Sequence, residues 1–208
     1  GQTDANSEAP TGLMLGTGTR VVGTEKLHMQ GSMMSTENSL DLAIAGDGYF
    51  AIEQGDGSTA YTRDGSFKLS AEGQMVTSGG QVLVPAILIP ADASSITIGR
   101  DGIVTAELQA GAGAVQVGQL EVSRFVNNSG LQPMGRNLYK TTAASGEAVV
   151  GIPGEAGVGS LMQGTLEASN VNVVEEMVNM IEAQRAYEIN SKAISAADGM
   201  LRFLNNNL

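Results

Sequence analysis

From Gly31 to Thr142 the apolar positions recur with a period near two. Leu40, Leu42 and Ile44 alternate with Asp41, Ala43 and Ala45, the pattern of a strand buried on one face. Phe50 and Ile52 continue one face after Asp47-Gly48. Asp-Gly recurs at Asp56-Gly57, Asp64-Gly65 and Asp101-Gly102, and this pair favours hairpin turns because both residues tolerate positive φ. Short strands are predicted at Tyr61–Thr62, Phe67–Leu69, Met75–Thr77, Val82–Val84, Ile96–Ile98 and Ile103–Leu108. A longer one is predicted at Val115–Val126, with a bulge where its alternation changes phase near Gly118. Many short strands between turns imply an antiparallel sandwich or barrel-like sheet.

Two stretches interrupt this pattern. Gly1 to about Gln30 is polar and poorly periodic, and reads as an extended arm with one strand around Arg20–Val22. Ala143 to Gly164 is rich in Gly, Ala and Ser and reads as loop plus one short strand, followed by a linker over 165–172.

The last segment changes period. Val173 to Leu208 has no Pro and one internal Gly. Asn172 with Glu175 three residues on forms a potential capping box. Glu175 and Glu176 in the first turn suit the helix dipole, and Glu188/Lys192 and Asp198/Arg202 stand in the favourable i,i+4 order. The spacing predicts a single helix of roughly 35 residues, about 50 Å long at ~1.5 Å per residue. Every seventh position is apolar: Val173, Met180, Tyr187, Ile194, Leu201, Leu208. Such a row marks a helix lying along another helix. The second row, Met177, Gln184, Ser191, Asp198 and Asn205, is partly polar, and a neighbouring row runs Ala183, Asn190, Ala197, Leu204. A helix with several neighbours and some small-residue contacts fits better than a two-stranded coiled coil. The competing reading lays the helix on its own β domain, but its length exceeds a domain whose radius of gyration is about 13 Å. The expected organisation is therefore a connecting arm (1–30), a β-rich outer domain (31–164), a linker (165–172) and a C-terminal helix (173–208).

Composition narrows the function classes. With 11 Lys+Arg against 22 Asp+Glu in 208 residues, the formal charge is −11. That balance opposes nucleic-acid binding and docking on an anionic membrane surface. The 28 Gly and 5 Pro suit tight turns between strands. Aromatics make up 4% and Trp is absent, so the core is expected to consist of Val, Ile, Leu, Ala and Met. No Cys is present, which removes disulfides and thiolate metal sites.

Chemistry-bearing patterns are sparse. His28 is the sole histidine and supports neither a multi-His metal site nor a Ser-His-Asp triad, so a solvated or capping role is expected. The Asp-Gly pairs lack EF-hand spacing. Glu175 and Glu176 are adjacent on a helix and do not face each other. Gly16–Gly18 and Gly111–Gly113 lack the rest of a phosphate-loop motif. Met29, Met33, Met34, Met177 and Met180 are either adaptable interface residues or ordinary gap-fillers. No catalytic residue, cofactor or metal is expected.

Longer blocks carry a family resemblance. Ser169 to Leu201, SNVNVVEEMVNMIEAQRAYEINSKAISAADGML, resembles the C-terminal segment of bacterial flagellar rod and hook proteins. Asn38–Ile52 resembles the start of that family's β domain and Tyr61–Gly80 the segment after it, and VPAILIP and ITIGRDGIV extend the likeness over most of the chain from about Leu13. Gly16–Gly31 is most similar to the connecting region of the distal-rod members; proximal rod and hook-type members are the alternatives within the family.

The resemblance implies a structural subunit that polymerises helically into a hollow drive shaft carrying motor torque to the hook. It implies self-assembly, contacts with proximal rod proteins, hook protein and surrounding ring (bushing) proteins, and passage through the flagellar export apparatus. The shaft would span the periplasm and outer membrane. Family members begin with a helix that pairs with the C-terminal one, and this sequence starts instead in the connecting arm, so that partner is expected outside these residues. Val173, Met177, Met180, Ile181, Gln184, Tyr187, Ile194, Leu201 and Leu204 are the expected subunit contacts. A rival of another class is an extracellular β-scaffold adhesin or carbohydrate-active protein. It would need a fixed repeat, a cleft of paired acids or aromatic sugar platforms, and neither a fixed repeat nor any Trp is found.

Overall fold

A computed structural model describes residues 20, 22–24, 26–108 and 113–206. Most of the expected arm lies outside these residues; Arg20 and Val22 are not in a strand. In chain order the strands are β1 (Met33–Ser35), β2 (Leu42–Ala45), β3 (Phe50–Glu53), β4 (Thr59–Thr62), β5 (Lys68–Leu69), β6 (Met75–Val76), β7 (Val82–Val84) and β8 (Ala93–Ile98). They continue as β9 (Ile103–Leu108), β10 (Ala114–Gln119), β11 (Val122–Arg124), β12 (Gln132–Gly135), β13 (Leu138–Lys140), β14 (Val149–Gly151), β15 (Ser160–Gln163) and β16 (Thr165–Glu167). One helix, α1 (Val173–Asn206), ends the described chain.

The largest sheet is antiparallel, ordered β12-β13-β4-β3-β7-β6-β5, and curls into a half-barrel. Smaller antiparallel sheets complete the wall: β10-β9-β8, β11-β14, β15-β2 and β1-β16. The chain is thus mainly β with one long C-terminal helix, as its periodicities predict.

Strand β3 is the spine because it is buried on both faces. Phe50 and Ile52 enter the main core with Leu42, Ile44, Phe67, Met75, Leu83 and Val104. Ala51 joins a second cluster of Tyr49, Tyr61, Phe125 and Leu131. Strand β2 is likewise covered on both sides: Leu42, Ala43 and Ile44 are all buried, so the alternation read there does not mark a solvent face. A Cβ is small enough to be enclosed opposite the larger side chains.

The core is also more aromatic than composition suggests. Tyr49, Phe50 and Phe67 are among the largest fully buried side chains. Phe50 meets Phe67 edge-on at 5.1 Å between ring centroids, and Tyr61 meets Phe125 at 4.8 Å. Aromatics are few, but most are placed where their area counts most and where edge-to-face geometry is available.

Turn chemistry separates the Asp-Gly pairs. Asp56-Gly57 closes the β3–β4 hairpin and Asp101-Gly102 the β8–β9 hairpin, with Gly57 and Gly102 at φ 77° and 80°. Asp47-Gly48 joins strands that pair with other partners, and Asp64-Gly65 leads from β4 to β5 at the far edge of the sheet, so neither is a hairpin. The long strand expected at Val115–Val126 is two, β10 and β11, in different sheets. The expected irregularity at Gly118 is present as a register shift between Gln116 and Gly118. A Cβ on Gly118 would come within 2.5 Å of Ile87 Cδ1.

The stretch 143–164 contributes two strands, β14 and β15, where one was expected. Residues 165–167, read as the start of a linker, are strand β16. It pairs with β1 in the register Met33↔Glu167, Met34↔Leu166, Ser35↔Thr165. The strand at both ends of the β domain is therefore the same ladder.

Candidate assembly interface

Local sequence explains where α1 begins. The Asn172 side-chain oxygen accepts the Val174 N–H at 3.2 Å, and its carbonyl accepts the Glu176 N–H at 3.0 Å. These bonds make Asn172 the N-cap of the helix, but its side chain takes the N–H of Val174 and not that of Glu175, so the cap is a simple one and not the expected capping box. Glu175 and Glu176 occupy the first turn. Further along, Asp198 and Arg202 close their i,i+4 pair at 3.0 Å. The helix carries 34 residues, about 51 Å at ~1.5 Å per residue.

The side chains along it are uncovered. Every residue from 173 to 200, with Arg202 and Phe203, is exposed. Val173 is 67% exposed, Met180 59%, Tyr187 78% and Ile194 71%. Met177, Ile181 and Gln184 are exposed as well. Leu201 and Leu204 lie on the same helix, but their side chains fall outside the described residues. The reading that lays this helix on its own β domain does not hold, since a docked face would be buried.

At ~100° per residue the exposed apolar side chains fall on two adjoining arcs. Val173, Met177, Met180, Tyr187 and Ile194 make one arc, the heptad row read from sequence. Val174, Val178, Ile181, Ile189, Met200 and Phe203 make the other. Sequence reasoning missed this second arc, apart from Ile181, because it follows no constant seven-residue step. Its i, i+4, i+7 opening at Val174, Val178 and Ile181 is the signal that marks it. The remaining sector carries Ala183, Ala186, Ala193 and Ala197. Such a helix has apolar surface for more than one neighbour.

The helix is joined to the β domain through a dense polar knot. Arg63, just past β4, donates Nε–H to Glu167 Oε2 at 2.8 Å, and its second terminal nitrogen reaches the same oxygen at 2.7 Å. The guanidinium also donates to the carbonyls of Ile44, Gly46 and Gly48 at 3.0–3.2 Å. Glu167 Oε1 accepts the Gly31 N–H at 2.9 Å. Asn170 Nδ2 donates to the carbonyls of Leu27 and Met29, each at 3.2 Å. The incoming arm and the outgoing chain are thereby fastened to each other and to β2.

His28 belongs to this knot instead of standing in solvent. Its Nδ1 lies 3.0 Å from the Tyr49 hydroxyl, and its ring packs at 5.5 Å from that of Tyr139. Lys26 Nζ donates to the Tyr139 hydroxyl at 3.2 Å and sits 4.9 Å from the ring centroid. Burial pushes the Tyr49 phenol up to about 12 against the pull of the Arg63 guanidinium, and burial also raises that of Tyr61.

Similarity to known proteins agrees with this arrangement. Residues 43–106 match the family model of the flagellar hook protein FlgE/F/G D1 domain. Residues 162–207 match that of the flagellar basal-body rod FlgEFG protein C-terminal region. The flagellar basal-body rod protein FlgG of Buchnera aphidicola subsp. Acyrthosiphon pisum is 52% identical over 195 residues, covering 94% of this chain and 75% of that protein. FlgG of Borreliella burgdorferi is 49% identical over 203 residues, covering 97% and 77%. The basal-body rod protein FlgF of Caulobacter vibrioides is 37% identical over 175 residues, covering 80% and 64%.

Proposed function

This chain belongs to the FlgG family of flagellar basal-body rod proteins and is a structural subunit of the distal rod, and we propose that α1 is the element through which it polymerises. The observation that carries this reading is the exposure of apolar side chains along the helix. Burying a Val, Ile or Met side chain is worth roughly 1.5–3 kcal/mol, so α1 holds a large unrealised association energy. Val173, Met177, Met180, Ile181, Gln184, Tyr187, Ile194, Leu201 and Leu204 contact helices of neighbouring subunits, and Val174, Val178, Ile189, Met200 and Phe203 extend the contact to a second neighbour.

Head-to-tail contacts that do not close into a ring generate a helical filament. The helices pack around the axis of a hollow shaft, the β domain from β1 to β16 forms its outer wall, and residues 168–172 join it to α1. The shaft carries torque from the motor to the hook. Its neighbours are proximal rod proteins below, hook protein above and ring proteins around it, and its subunits arrive through the flagellar export apparatus. It crosses the periplasm and the outer membrane.

Sedimentation velocity and circular dichroism across a concentration series test the reading. Helicity and mean mass should rise together as α1 finds partners. A chain that stays monomeric with constant helicity up to high concentration, and forms no filaments by electron microscopy, would overturn it.

A further inference from the structure

The polar knot contains more bonding than the β fold requires. Strands β1 and β16 already pair with each other, with Ala168 N–H donating to Ser32 at 2.8 Å and Thr36 N–H to Gly164 at 2.6 Å. Arg63 adds a connection of another kind. One rigid guanidinium spans three backbone carbonyls around the end of β2 and the carboxylate of β16, and that carboxylate holds the arm at Gly31. The Glu167 side chain is 10% exposed and that of Arg63 22%, so water competes weakly for these charge-assisted bonds. The arm also passes with no clearance, since a Cβ on Gly31 would overlap the Ala168 carbonyl.

We propose that Arg63 and Glu167 form a positioning clasp that sets the direction in which the arm and α1 leave the β domain and makes that joint resist twisting. A two-strand ladder alone is marginal and bends easily. A planar fork bonded to four acceptors on two separate elements fixes both the tilt and the rotation of β16 against β2. Lysine at this position would keep the charge but could not satisfy this set, because its donors radiate from a single nitrogen. The use of the clasp rests on the proposed role of α1 in the shaft; its existence is a property of the single chain.

The full chain tests it in three forms: unchanged, Arg63→Lys and Glu167→Gln. Glutamine places a donor where either Arg63 or Gly31 needs an acceptor. Amide hydrogen exchange is read at Gly31 and Ala168 in the joint and at Leu42, Ile52 and Val104 in the core. In parallel, spin labels at Asp92→Cys and Lys192→Cys, in a chain with no native cysteine, report the spread of distances between the β domain and α1.

Both variants should speed exchange at the joint by about tenfold or more, leave the core amides unchanged and broaden the distance distribution. Joint exchange and distances equal to those of the unchanged chain would overturn the clasp. So would core exchange that rises in step with the joint, which would make Arg63 a residue of the fold alone. A loosened joint in a chain that never assembles supports the clasp and removes the polymerisation reading. Lost assembly with an unchanged joint does the reverse.

Discussion

Leu42 donates its backbone N–H to the Gly65 carbonyl at 3.0 Å, and Gly65 lies so close to Leu42 in return that a Cβ would overlap the Leu42 carbonyl oxygen. The requirement for glycine here is one of space, not of φ, because Gly65 is not among the positive-φ residues. Gly65→Ala should push β2 away from the loop after β4 and destabilise the β domain by about 2 kcal/mol or more. Chemical denaturation followed by tyrosine fluorescence measures this, and a midpoint equal to that of the unchanged chain would contradict it.

Alkaline pH should weaken the second core. The Tyr49 phenol ionises near 12 when folded against 10.0 for the exposed group. The folded chain therefore holds a proton that the unfolded chain has already released. The contribution of Tyr49 to stability is complete below pH 10 and is lost as pH rises toward 12. Tyr49→Phe should flatten this alkaline loss, with Tyr61 supplying the residue of it. Denaturation midpoints measured across that range check the slope; an unaltered slope in Tyr49→Phe would assign the effect elsewhere.

Tyr187→Ala should reduce assembly while the β domain keeps its melting temperature, because Tyr187 is 78% exposed and lies far along α1 from any core residue. Pelleting of polymers together with calorimetry separates the two quantities. Normal polymer yield from this variant would remove Tyr187 from the interface.

Gly199 has nothing within 4 Å of the Cβ it lacks. In the isolated chain Gly199→Ala should increase helicity, by up to ~1 kcal/mol of local helix stability. If a neighbouring helix approaches closely at this point, the same variant should assemble less well despite the better helix. Circular dichroism and polymer yield, measured on one preparation, decide between a tolerated glycine and a required one.

The sequence was most legible where structure is local. Ile103–Leu108 forms β9 with the predicted bounds, and Asn172 caps α1, because alternation and capping involve residues a few positions apart. The β12–β13 hairpin left only a partial sign: its turn places Gly135, Arg136 and Asn137 at φ 90°, 53° and 60°, and glycine and asparagine suit such positions whereas the arginine between them does not announce one. Pairing of β1 with β16 joins segments at opposite ends of the domain, and Met33–Ser35 has no alternation to reveal it. The Arg63–Glu167 contact was hidden for the same reason, since 104 positions separate the two. The heptad row on α1 was plain, whereas its second apolar arc keeps no constant seven-residue step and shows in the sequence only through its opening at Val174, Val178 and Ile181.

Adjacent pairing of β1 and β16 has a consequence for how this architecture can change. The chain enters and leaves the β domain through neighbouring strands, about 4.8 Å apart. Whatever is built between Thr36 and Gly164 is therefore a cassette on a fixed doorway. A lineage could enlarge, shrink or exchange that cassette and leave the point at which α1 departs undisturbed, so that the bulk of the β domain is free to evolve independently of the helix.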